Sequence, residues 1–132
     1  MTQKHIEGDV VMYDNKIMVV KEPRDGSHFD LSCPKEGLVY CFVGVDEIKP
    51  VILTPEILEK NGWKRTQIFI DDDGLEFHTY IDDERCLDLQ YYPQYKKFAA
   101  FICKQEVLSD IEYVHQLQHL LFGLGLPMDL KV

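Results

Sequence analysis

The stretch that most constrains this chain is residues 109–125, SDIEYVHQLQHLLFGLG. At about 100° per residue, Ile111, Tyr113, Val114, Leu117, Leu120, Leu121, Phe122 and Leu124 fill an arc of roughly 200° on a helix. An apolar arc that wide exceeds the stripe of a surface helix, so a large face must cover it. Ser109 followed by Glu112 has the form of a capping box, in which hydroxyl and carboxylate satisfy N–H groups that a helix start leaves open. Gly123 and Gly125 supply left-handed exits, and Pro127 blocks continuation. The pattern predicts a helix over 109–125 with Glu112, His115, Gln116 and His119 on its solvated arc. Gln118 falls inside the apolar arc, where a buried amide must bond sheet-edge backbone or a neighbouring side chain.

The rest of the chain reads as β-structure. Residues 8–22, GDVVMYDNKIMVVKE, form a hairpin pattern, with Val/Ile/Met-rich runs flanking Asp14-Asn15-Lys16. Residues 21–27 read as a polar loop around Pro23 and Gly26, and residues 29–32 as a short strand. Residues 38–45, LVYCFVGV, read as a strand apolar on both faces and therefore central. Short strands broken by turn chemistry predict a small SH3-like β-barrel or curled sheet. Thr54-Pro55-Glu56 opens a short helix with a hydroxyl N-cap, proline at the first position and an acid in the first turn, and Gly62 ends it. Trp63 follows directly and is expected to be a packing anchor between the two halves.

Residues 66–70 and 75–81 flank Asp71-Asp72-Asp73-Gly74, an Asp-Gly hairpin turn, and residues 87–92 and 97–104 add two more strands. Ala99 and Ala100 leave room for a bulky cover, for which the C-terminal helix is the natural occupant. Residues 128–132 are a candidate last strand. The fold class is thus α+β. Residues 1–53 are expected to form the SH3-like β lobe. Residues 54–132 are expected to form a short helix and an antiparallel meander covered by the C-terminal helix, the lobes packed as one compact body.

Charge limits the choice of partners. The 132 residues include 14 basic and 23 acidic ones, a net charge of −9. That surface repels a phosphate backbone, and no basic cluster exceeds two adjacent residues, so nucleic acid is not the expected ligand. A basic protein surface or a small cationic ligand stays open as the partner. No apolar run approaches the length of a membrane span and MTQKHIEGD has no apolar signal core, so the expected setting is cytoplasmic, without a membrane partner. Cys33, Cys41, Cys86 and Cys103 form no CxxC pair, which favours reduced, packed thiols over disulfides or a zinc site.

Few constellations carry chemistry. His115 and His119 stand one helical turn apart with Glu112 a turn earlier, the spacing of a helical zinc site. The metalloprotease pattern H-E-x-x-H needs a carboxylate base where this chain has Gln116, and an amide cannot take that proton. Glu112, His115 and His119 therefore remain only as the alternative site of a metal-dependent hydrolase; the leading expectation has no metal and no cofactor. If Gly74 were the sixth position of an EF-hand loop, the first and twelfth would be Phe69 and Tyr80, neither a ligand. No nucleophile motif or glycine-rich phosphate loop occurs, so no catalytic residue is nominated and no enzyme is expected. Tyr91, Tyr92 and Tyr95 around Pro93, together with Trp63, are the candidate interaction surface, because such rings bring large contact area at little entropy cost.

Residues 51–63 (VILTPEILEKNGW) and 113–125 (YVHQLQHLLFGLG) resemble small proteins of phages and prophages of Bacteroides and related bacteria, which combine a "PIxLTxEILxKxGF" segment with a "YVHQLQxLxFALxG" segment. The opening GDVVMYDNKIMVV is similar to theirs as well. Members of that family carry no assigned activity, so the resemblance implies a genomic setting and a bacterial host cytoplasm rather than a reaction. His119 is often asparagine in the family pattern, which argues against a shared metal pair, whereas His115 and Gln118 match it. The leading expectation is a non-catalytic module that binds a host or phage protein, with a homodimer open as its assembly. A small-molecule binder or sponge for a nucleotide signal is the alternative from another class.

Overall fold

In the computed structural model, which describes residues 5–25 and 27–132, the chain forms two antiparallel sheets of five strands each, a short helix and a C-terminal helix. It divides into two compact units. One comprises the chain up to Ile52 with Tyr113–Leu130, and the other Leu53–Glu112 with Lys131–Val132.

In the first unit, β1 (Val10–Tyr13) and β2 (Lys16–Asp25) form the expected hairpin. Asp14 and Asn15 take φ of 52° and 58°, the left-handed pair that a two-residue type I′ turn demands and that Asx side chains tolerate. Strands β3 (His28–Cys33) and β4 (Leu38–Gly44) continue the meander. A 3-10 turn, Val45–Glu47, then returns the chain so that β5 (Lys49–Pro50) pairs with the other side of β1. The resulting order is β4-β3-β2-β1-β5, an open sheet with no closed barrel among the described residues. Val11, Met18, Val20, Phe29, Leu31, Cys33 and Val43 form its core.

In the second unit, the short helix α1 (Pro55–Lys60) begins as expected. The Ile57 N–H donates to Thr54 Oγ1 at 3.3 Å, and Gly62, at φ 99°, carries the chain out. Strands β6 (Lys64–Ile70), β7 (Glu76–Asp82), β8 (Leu87–Tyr92), β9 (Lys97–Ile102) and β10 (Gln105–Ile111) form an uninterrupted meander. Tyr80, Leu89 and Ala100 share one register row. They are buried together with Leu87, Phe98 and Ile111, as are Leu58 and Trp63. No helix among the described residues is long and apolar enough to cross a membrane.

The helix reading needs correction at its start. The C-terminal helix, α2, spans Val114–Gly123, and residues 105–111 are strand β10. Ser109 and Glu112 form no capping box; instead Gln116 Oε1 accepts the Tyr113 N–H at 2.9 Å. The helical spacing between Ile111 and the apolar residues of 113–124 is fortuitous. Leu108 lies opposite Ala100 and Ile111 opposite Phe98, so ladder bonds to β9 take the place of helix nucleation.

The cover it provides also differs. α2 packs on β1 and belongs to the first unit, whereas the sequence pattern predicts it as the cover of the second-half meander. The Val114 N–H donates to the Val51 carbonyl at 2.8 Å and Ile52 bridges Tyr113, which fixes the start of α2 to the end of the first sheet.

Four further expectations fail. β4 is an edge strand with Leu38, Val39 and Phe42 exposed, because the return of β5 to β1 leaves β4 at the end of the order. Residues 21–25 extend β2 instead of looping. Register shifts between Val20 and Glu22 and between Pro23 and Asp25 absorb the proline within the strand, while Gly26 lies outside the described residues. Residues 128–132 form no strand. The four cysteines are free thiols, but only Cys33 is packed; Cys41 is exposed on the edge strand β4, and Cys86 and Cys103 are exposed in turns.

Candidate functional site

The two helix histidines do not both face solvent. His115 is buried, stacked parallel to Tyr113 and edge-on to His5 and His119, and its Nδ1 has no hydrogen-bond partner. Burial, reinforced by the neighbouring His5 charge, pushes its pKa down to about 4. His119 is half-buried, with Nε2 2.9 and 2.8 Å from the two oxygens of Asp9, a fully buried carboxylate. Asp9 also receives the Ile6 N–H at 3.0 Å and lies 3.2 Å from His5 Nδ1. The cluster thus latches residues 5–9 onto α2. Glu112, the third member of the alternative metal set, pairs in the second unit with Lys97 at 3.4 Å. Among the described residues no group of three or more His, Cys, Asp or Glu is placed to hold a metal ion.

Of the four candidate interaction residues, two meet in one place. Trp63 is 1% exposed, so it offers no surface to a partner. Its indole Nε1 donates to the Leu87 carbonyl at 3.0 Å and the Arg85 guanidinium lies 4.2 Å over the ring, which makes it a core anchor of the second unit. Tyr91 packs against Phe98 with ring centroids 4.6 Å apart and so belongs to the buried face. Tyr92, the next residue, projects from the opposite face by strand alternation.

That opposite face carries an aromatic row. Phe69 on β6 is the register partner of Phe77 on β7, with rings stacked 5.3 Å apart. Phe77 meets Tyr92 on β8 at 5.7 Å, and Tyr92 is paired in register with Lys97 on β9. The row leads into a depression of about 430 Å³ whose lining includes Leu75, Tyr92, Tyr95, Ala99, Glu106 and Asp110. Tyr95, in the β8–β9 turn, is 59% exposed. The Tyr92 hydroxyl donates to Gln90 Oε1 at 3.2 Å, and partial burial with the Asp71 and Glu106 charges raises its pKa. Lys97, the cation of the lining, is engaged by Asp110 at 3.9 Å and by Glu112.

Chemically, such a face suits contact more than catalysis. It offers flat aromatic area, one tethered ammonium and a carboxylate rim, a poor receptor for a phosphate but a fit for basic side chains. Sequence reasoning missed Phe69 and Phe77, since their membership depends on strand register. It also missed His5 and Asp9, which reach His119 only through the fold. Comparison with protein-family models, with curated proteins and with solved structures finds no match to this chain.

Proposed function

We propose that this protein is a non-catalytic interaction module of the phage or prophage type that its YVHQLQ-type helix resembles, acting in the cytoplasm of a bacterial host. It binds a basic patch on a host or phage protein through the open face of the second sheet. The observation that carries this reading is the row Phe69–Phe77–Tyr92 running into a depression edged by Tyr95, Glu106 and Asp110. Aromatic area surrounded by charge is the make-up of a protein-binding patch. A nucleotide sponge is the weaker reading, because Lys97 is already held by two carboxylates. An SH3-like first lobe is supported by the 3-10 turn that brings β5 back to β1.

The test is affinity capture from a lysate of a Bacteroides-type host, with wild type, Tyr95→Ala and Glu106→Lys as parallel baits. A basic protein retained by wild type and lost by both variants supports the reading. Equal capture by all three baits, or none above the bare matrix, overturns it.

A further inference from the structure

We propose that two copies of this chain associate through the free edge of β6, pairing antiparallel about Phe69 so that the second sheet continues from one copy into the other. β6 ends the strand order, so one row of its backbone N–H and C=O groups has no partner within the sheet. All seven of its residues are exposed, and Ile68, Phe69 and Ile70 retain 51%, 42% and 72% of their surface. The other end of the same sheet is blunted. There β10 carries two register shifts, a left-handed Asp110 and the charges of Glu106 and Asp110. β6 carries one shift, between Arg65 and Ile68, which leaves Ile68, Phe69 and Ile70 in unbroken register with His78, Phe77 and Glu76.

Charge order identifies a second copy as the occupant. β6 begins with Lys64-Arg65 and runs directly into Asp71-Asp72-Asp73, with the apolar residues between them. When two such edges pair antiparallel, the basic start of each lies along the acidic end of the other and the apolar middle meets itself. A parallel arrangement would set like charges side by side. Asp71 is committed to its own turn, its Oδ1 accepting the N–H groups of Asp73 and Leu75 at 2.9 Å each, while Asp72 and Asp73 are exposed. A two-fold axis normal to the sheet keeps equivalent faces on one side. Phe69 then lies beside its copy, and the row Phe69–Phe77–Tyr92 doubles in length.

Sedimentation equilibrium on the purified chain tests this. At about 100 μM, well above a micromolar-range Kd, wild type is expected to run at twice its 15.4 kDa mass. The variants K64E/R65E and D72K/D73K each place like charges opposite one another and are expected to weaken Kd about a thousand-fold or more, which leaves them largely monomeric at that concentration. An equimolar mixture of the two restores opposite charges and is expected to recover the dimer. I70K, at a position already open to water, disrupts the apolar centre independently and is expected to be monomeric. A monomeric wild type, variants that stay dimeric, or a mixture that stays monomeric overturns the proposal.

Discussion

The Gln118 carboxamide on α2 accepts the backbone N–H of Val10 at 2.7 Å, joining residues 108 apart in the sequence. Its Nε2 donates to the carbonyls of Gly8 at 2.8 Å and Met128 at 3.1 Å, and the side chain is fully buried. A single amide therefore satisfies backbone where the chain enters β1 and where it leaves α2. Gln118→Leu keeps the volume but strands one donor and two acceptors out of water. Unfolding in urea is expected to show a loss of about 3 kcal/mol, from unmade bonds rather than lost packing. A loss below about 0.5 kcal/mol would mean that water or an altered backbone replaces the amide.

His115 makes stability depend on pH. Its folded pKa of about 4 lies below the ordinary histidine value of 6.5. The contribution of the neutral ring is fully present above pH 6.5 and declines as the pH falls toward 4, because the unfolded chain takes up the proton first. The window is worth roughly 3 kcal/mol at most. His5, Asp9 and His119 face the same ring and are unchanged between the two proteins to be compared. The informative quantity is thus the difference between wild type and His115→Leu, followed by denaturant melts from pH 7 to pH 4. The variant is expected to lose stability less steeply on acidification; parallel curves would refute this account of His115.

Local signals in the sequence located most elements, and long-range ones decided where they went. Asp14-Asn15, Thr54-Pro55 and Asp71-Asp72-Asp73-Gly74 mark turns and a cap whose chemistry is complete within a few residues, and the structure has each of them there. The buried Gln118 was legible too, since an amide within an apolar arc must find backbone. The start of α2 was not. Ser109 and Glu112 match a cap signature, but ladder pairing of residues 105–111 with β9 outweighs it, and nothing local announces that competition. Nor could periodicity say which sheet the helix covers, since both offer apolar faces. In the candidate site, the Tyr92 and Tyr95 cluster was visible as composition, whereas the row through Phe69 and Phe77 exists only once three segments are in register.

Trp63 is an anchor whose polar atom matters as much as its area. The indole N–H to the Leu87 carbonyl ties the exit of α1 to the first residue of β8, and Arg85, paired with Asp82, covers the ring. Trp63→Phe keeps most of the apolar volume while leaving the Leu87 carbonyl unpaired. A destabilisation of about 2 kcal/mol is expected by chemical denaturation, most of it from the stranded acceptor and the weakened cation–π contact. Arg85→Ala is not the matching control, because it also removes the ion pair with the buried Asp82 and the bond to the Asn61 carbonyl. A Trp63→Phe loss below about 0.5 kcal/mol would mean that the hydrogen bond is not what holds the indole.

Tyr95 separates binding from folding. At 59% exposed in the β8–β9 turn, it contributes little to the core, so Tyr95→Ala is expected to change unfolding free energy by no more than about 0.5 kcal/mol. Removal of a ring at the mouth of the depression is nonetheless expected to weaken capture of a basic protein partner at least ten-fold, as loss of an aromatic anchor does in interfaces. Tyr92→Ala is the contrasting case. That ring packs on Phe77, so both stability and capture are expected to fall. Because Tyr95 lies in the turn and not on β6, its substitution is also expected to leave sedimentation unchanged. A Tyr95→Ala protein that captures its partner as well as wild type does would remove the mouth of the depression from the binding surface.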